Sequence, residues 1–132
     1  MKAIIDTNVL IFDTFEDSEF HREAVSGLDS LEKWLLPGIV FHELVWFFRS
    51  RKIGPSRARM KVEEYLTNEK TEFLNCTADD VRYASSRMTN YSQYNDLLVL
   101  SAAARLEVAL FSFDEDLKKS ARHERVKLLE RL

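Results

Sequence analysis

The chain has 132 residues, enough for one domain and too few for two, and its 45% hydrophobic content supplies a real core. Asp and Glu number 22 against 19 Lys and Arg, so the net charge of −3 argues, as an average, against a nucleic-acid-binding surface. A single cysteine, Cys76, excludes an internal disulfide framework and a cysteine-based zinc site, and no apolar run approaches the roughly 18 to 20 residues of a membrane span. Asp6 and Asn8 interrupt the apolar N-terminus, which therefore reads as a strand and not a secretory leader. The expectation is one soluble cytoplasmic domain spanning 1–132.

In chain order, Ala3-Ile4-Ile5 reads as a short buried strand ending in the polar turn Asp6-Thr7-Asn8. Phe20, Ala24, Leu28, Leu31 and Leu35 recur at three- and four-residue spacing, which predicts a helix from Glu19 to Trp34. Leu35-Leu36 is a short strand before the Pro37-Gly38 break, and Ile39 to Arg51 is an unusually apolar helix. A further helix starts after Gly54, with Pro55 suited to its first turn. Glu72 to Asn75 reads as a strand, and Thr77-Ala78-Asp79-Asp80 resembles a capping box opening a helix to about Met88. A Leu/Ala-rich helix follows from Asn95 to Glu107, then a strand Val108 to Phe113, a helix Asp114 to Arg122 and a last strand Val126 to Leu129. Short apolar strands alternating with helices predict an α/β layered fold with a mainly parallel sheet.

Ligands of such sheets bind beyond the carboxyl ends of the strands. Asp6 follows the first strand and Asp114 the Val108–Phe113 strand, while Asp96 opens the Leu/Ala-rich helix. Glu43 interrupts an otherwise apolar helix with no Lys or Arg within a turn before it, so its partner must come from elsewhere in the chain. Singly, Asp6 reads as a turn residue and Asp96 and Asp114 as helix caps. Together the four point to a cation. Two carboxylates about 4 Å apart repel by roughly 4 kcal/mol at an effective dielectric near 20. A divalent ion offsets that repulsion, and an all-oxygen donor set suits Mg²⁺ or Mn²⁺ over zinc.

These segments resemble the PIN domain, and in particular the small VapC-like ribonucleases of prokaryotic toxin–antitoxin modules. Ile5-Asp6-Thr7-Asn8-Val9-Leu10 is similar to the first acidic motif of that family and Phe41-His42-Glu43-Leu44 to the second. Asn95-Asp96-Leu97-Leu98 with Ser101-Ala102-Ala103-Ala104 is similar to the third. Phe111-Ser112-Phe113-Asp114-Glu115-Asp116-Leu117 is similar to the fourth, with Ser112 where threonine is usual. The likeness runs the length of the chain. It implies a three-layer α/β/α sandwich and Mg²⁺- or Mn²⁺-dependent endonuclease activity on RNA. By the same likeness Asp6, Glu43, Asp96 and Asp114 form a catalytic quartet, supported by Asn8 and Ser112, with Asp116 assisting the metal shell. Asp6, Asp96 and Asp114 would hold the metal or its waters, and Glu43 would complete the shell or position the nucleophile. A homodimer or higher oligomer and a small antitoxin that fills the cleft are further implications.

Positive charge is unevenly distributed. Arg49, Arg51, Lys52, Arg57, Arg59 and Lys61 fall in a stretch without a single acid, a candidate RNA contact or a solvated or dimer-rim surface. A second cluster holds Lys118, Lys119, Arg122, Arg125 and Lys127. Trp46, Phe47 and Phe48, beside the first cluster, read as core or interface packing and not as base-stacking platforms. His42 reads as a structural or surface histidine, not a general base. Other readings are a non-toxin PIN nuclease in RNA processing, a catalytically silent PIN-like interaction module, and a haloacid-dehalogenase-like phosphatase. The phosphatase needs a second aspartate where Asn8 stands.

Overall fold

A computed structural model describes residues 1–130. Four strands, β1 (Lys2–Ile5), β2 (Lys33–Pro37), β3 (Thr71–Leu74) and β4 (Ala109–Phe111), form one parallel sheet in the order β3-β2-β1-β4. Seven α-helices connect them: α1 (Thr7–Thr14), α2 (His21–Ser30), α3 (Gly38–Ser50), α4 (Pro55–Thr67), α5 (Ala78–Arg87), α6 (Tyr94–Leu106) and α7 (Glu115–His123). No helix among the described residues is long and apolar enough to cross a membrane.

The two-residue period of the strands divides the core into layers. Ala3, Ile5, Trp34, Leu36, Ala109 and Phe111 face one side, where Val9, Leu10, Ala24, Leu28, Phe41, Leu44, Phe48 and Tyr65 of α1–α4 cover them. Ile4, Leu35 and Leu110 face the other, against Val99, Leu100, Ala102 and Ala103 of α6 and Leu117 and Ala121 of α7. The three-layer α/β/α sandwich thus follows from strands that are apolar on both faces.

Several local readings change in three dimensions. Asp6-Thr7-Asn8 is not a turn: Asp6 caps α1, accepting the Thr7 amide at 2.8 Å, and the helix begins at once. The run Val9-Leu10-Ile11-Phe12 is too short for periodicity to separate helix from strand. The second helix stops at Ser30 because Trp34 belongs to β2, paired in register with Ala3, its indole N–H donating to the Leu28 carbonyl at 2.9 Å. Pro37 ends β2 and caps α3 directly, and a Cβ on Gly38 would stand 3.3 Å from the Phe73 ring.

The strand predicted to reach Phe113 stops at Phe111. The Phe113 amide instead donates to the Asn8 side chain at 3.0 Å and the Asp114 amide to the Ser112 hydroxyl at 3.0 Å. At the C-terminus, a single bridge from Leu110 to Leu128 extends the sheet past β4 in place of a full fifth strand.

Candidate active site

From β1 the chain moves outward through β2 and β3, then returns to β4 on the opposite side of β1. This reversal opens a crevice beyond the carboxyl ends of β1 and β4, where open α/β sheets bind ligands. Asp6 stands at one lip and Asp114 at the other. α3, which follows β2, contributes Glu43; α6, which precedes β4, contributes Asp96. All four line one cavity of about 530 Å³, together with Thr7, Asn8 and Asn95. Residues as far apart in sequence as Asp6 and Asp114 are therefore brought together.

A hydrogen-bond network spans the crevice. The Ser112 hydroxyl donates to Asp6 Oδ2 at 2.7 Å, and the Asn8 amide nitrogen donates to the same oxygen at 3.0 Å. Asn8 holds the Phe113 amide through its own Oδ1. Asp114 caps α7, its Oδ1 accepting the Asp116 and Leu117 amides at 2.9 and 3.0 Å. Glu43 receives the Thr7 hydroxyl at 2.5 Å and the Asn95 side-chain amide at 3.4 Å. Its partners are thus neutral donors, and among the described residues none supplies the counter-charge missing from the sequence around Glu43.

Electrostatics reflect that lack. Burial, with Glu43 and Asp114 nearby, raises the Asp6 carboxyl to about 6 despite the lowering hydrogen bonds from Ser112 and the Thr7 amide. Burial, then Asp6, Asp114, Glu43 and Asp116 in turn, raises Asp96 to about 7. Asp96 lies in the first turn of α6, whose dipole favours an anion, but desolvation and like charge outweigh that effect.

Among the described residues no Lys or Arg lines this cavity, so its carboxylates lack a protein counter-charge there. Among the described residues no three Asp, Glu, His or Cys side chains stand close enough to enclose one ion. The donors are spread around the cleft and not preassembled as a closed cage. This suits Mg²⁺, which keeps several waters and takes only one or two carboxylates directly. The residues fit such an ion.

Other sequence candidates fall elsewhere. Asp116 is exposed and lines an adjoining polar groove of about 880 Å³ that shares Asp96 and Asp114 with the first cavity. His42 is exposed on α3. Of the first basic cluster, Arg49, Arg51, Lys52, Arg57 and Arg59 are exposed, whereas Lys61 is engaged by Glu64 at 3.0 Å and by the Tyr65 ring. In the second cluster, Lys118 and Arg122 are paired with Glu115 and Glu130. Thr7 and Asn95, which hold Glu43, escaped the sequence reading, although each adjoins an acid that it singled out.

An acidic, oxygen-lined cleft at the switch point of a parallel sheet defines a class: α/β domains with a carboxylate-lined site at the sheet edge. A family model of the PIN domain matches residues 3–123, and the chain belongs to the PIN-domain family. No curated protein matches. Among solved structures, VapC20 of Mycobacterium tuberculosis, a sarcin–ricin-loop-cleaving toxin, superposes with a TM-score of 0.77 at 14% identity over 89% of this chain and 94% of its own. VapBC2 of Rickettsia felis, solved on a DNA fragment from its promoter, gives 0.69 at 19% identity over 97% of both chains. A toxin–antitoxin complex from Klebsiella pneumoniae gives 0.61 at 21% identity, covering 85% of this chain and 86% of that one. These likenesses carry the fold.

Proposed function

We propose that the protein is a divalent-metal-dependent endoribonuclease and the toxin of a type II toxin–antitoxin module. The observation that carries this reading is the convergence of Asp6, Glu43, Asp96 and Asp114 on one cavity without a protein cation. In this reading Asp6, Asp96 and Asp114 hold Mg²⁺ or Mn²⁺ directly or through its waters. The bound ion supplies an activated water and offsets charge on the phosphodiester. Asn8 and Ser112 fix the Asp6 carboxylate, Thr7 and Asn95 fix Glu43, and Glu43 completes the shell or orients the attacking water.

The phosphatase reading fares worse on the geometry of Asn8. Both ends of its amide are engaged, with Asp6 and with the Phe113 amide, and a carboxamide does not titrate near neutral pH and so cannot act as the acid/base. A silent interaction module would have no use for a buried and a half-buried carboxyl held in mutual repulsion, a costly arrangement without a charge to bind. A relative in fold was solved as a toxin–antitoxin complex, so the proposal extends to a small antitoxin partner, and with the family likeness to a homodimer of this chain in the cytoplasm.

The test is incubation of the pure protein with structured RNA in Mg²⁺ and in EDTA. EDTA-sensitive internal cleavage is expected. Phosphate release from a small phosphomonoester without RNA cleavage, or no reaction at all, counts against it. Co-expression with the product of a neighbouring short gene tests the toxin assignment by rescue of growth.

A further inference from the structure

We propose that Trp46 is a nucleobase-stacking platform beside the carboxylate cavity, so that single-stranded RNA lies along the C-terminal half of α3 with an unpaired base on the indole. The proposal rests on the ribonuclease reading of the site and adds where the strand is gripped.

α3 has a core face, formed by Val40, Phe41, Leu44 and Phe48, and Trp46, two residues from both Leu44 and Phe48, falls on the opposite side of the helix. The protein's other tryptophan behaves as an aromatic in a core should: Trp34 is 7% exposed and its indole N–H is bonded. Trp46 is 61% exposed, yet it lines the cavity that holds the four acids. An indole left in water beside a charged cleft calls for a ligand with an apolar face and a charged backbone.

The surrounding charges select the ligand. The Arg49 guanidinium lies 5.2 Å from the Trp46 ring centre, and that of Arg51 lies 5.1 Å from the ring of Phe47, which also lines the cavity. Lys52 follows directly and is exposed. Among the described residues none of these three cations forms an ion pair, unlike Lys61 on α4. Acids for a metal and the scissile phosphate, an indole for a base, and guanidiniums without an acidic partner for flanking phosphates thus occur in sequence along one surface. Single-stranded nucleic acid presents that alternation of π-face and phosphate, and proteins that bind it combine aromatic platforms with a cationic track. Every base has a π-face, so Trp46 fixes the position of the strand and leaves its sequence preference to other contacts.

Binding is measured with an eight-nucleotide single-stranded RNA in Mg²⁺, in a cleavage-deficient Asp96→Asn background, by intrinsic tryptophan fluorescence. Trp34 is shielded, so quenching on RNA addition reports Trp46. The expectation is quenching that Trp46→Ala abolishes, with affinity about tenfold or more weaker. Trp46→Phe, which keeps a ring, stays close to the parent. In the otherwise wild-type enzyme Trp46→Ala raises KM and leaves kcat nearly unchanged. Reversing Arg49 and Arg51 to Glu weakens binding and flattens its salt dependence. Unchanged RNA affinity in Trp46→Ala overturns the proposal, and so does a change confined to self-association or antitoxin binding, which would make the indole a protein contact. Wild-type cleavage that depends on Mg²⁺ and Asp96 leaves the ribonuclease reading intact in either case; absence of such cleavage overturns both.

Discussion

The Ser112 hydroxyl donates to Asp6 across 106 residues of sequence at 2.7 Å, and the same oxygen accepts the Asp114 amide at 3.0 Å. One hydroxyl therefore ties the end of β1 to the turn after β4 and sets two of the four acids relative to each other. Replacing it with Ala leaves the Asp114 amide without its acceptor and Asp6 without its strongest lowering contact. Ser112→Ala should cost about 1–2 kcal/mol of stability and move the acid limb of the pH–rate profile upward. Ser112→Thr keeps the hydroxyl and should restore both. Denaturant unfolding and a pH–rate profile check this; an unshifted limb in Ser112→Ala contradicts it.

Charge-removing substitutions at the cleft are expected to eliminate activity while preserving the fold. Asp6→Asn, Asp96→Asn, Asp114→Asn and Glu43→Gln should each reduce Mg²⁺-dependent RNA cleavage by about a hundredfold or more, the order seen when one preorganised catalytic group is lost. Circular dichroism should be unchanged, since Asn still accepts the capping amides at Asp6 and Asp114. Wild-type rates in Asp6→Asn or Asp96→Asn would remove those residues from the site.

Metal-free stability should fall as pH rises. Asp6 at about 6 and Asp96 at about 7 hold protons in the folded state that the unfolded chain has released at ordinary carboxyl values near 4. Between those limits the native state binds more protons, so the contribution of the neutral carboxyls is complete at the acid end and lost on passing pH 7. In EDTA, Tm should decline from pH 5 to pH 8, and Mg²⁺ should raise it more at pH 8. Asp96→Asn should raise the metal-free Tm at pH 8 by a few degrees and flatten the slope, about 1 kcal/mol after solvent screening at this half-open site. Thermal scans at the two pH values decide it.

A second buried acid acts in the opposite sense. Asp80 is 2% exposed; it completes the capping box with Thr77, accepts the Ser101 hydroxyl at 2.7 Å and pairs with Arg105 at 3.1 Å, joining α5 to α6. Burial raises its carboxyl, but the Arg105 guanidinium, the Thr77 amide and Ser101 together outweigh that and hold it below the usual range. Its contribution is present at neutral pH and lost as the solution is acidified below about 4. Asp80→Ala should destabilise by about 3 kcal/mol by stranding a cation and two donors, with no specific loss of RNA cleavage below the unfolding temperature. Urea titration gives the first and a cleavage assay the second.

The element types were largely legible because strand and helix periods are local. Ile4, Leu35 and Leu110 alternate with inward residues of the other layer as a two-sided sheet requires, and Thr77 with Asp80 forms the capping box its spacing predicted. What misled was also local: Asp6-Thr7-Asn8 reads as a turn until Asp6 caps it into α1, and Leu31 and Leu35 continue a helical spacing that the pairing of Trp34 with Ala3 ends. Trp46 and Phe48, two residues apart in one apolar run, end in solvent and in the core. The helical period separates them, since residues two apart lie on opposite faces, and the packing of α3 on the sheet decides which face is buried.

The sequence by itself determined four acids at strand ends and helix starts, an excess of apolar strand material and two basic clusters, because residue chemistry and short-range spacing are written in the chain. It could not determine that the acids share one cleft with no protein cation, that Thr7 and Asn95 hold Glu43, or that unpaired arginines lie against the aromatic wall of that cleft. Those depend on the sheet order β3-β2-β1-β4, which turns the chain back across β1 and so places Asp114 beside Asp6. Setting those four carboxylates aside leaves a chain close to neutral, so the net charge of −3 reflects the site and not an aversion to nucleic acid. Charge adds along a sequence, but its effect depends on distance, and only the tertiary structure sets the distances.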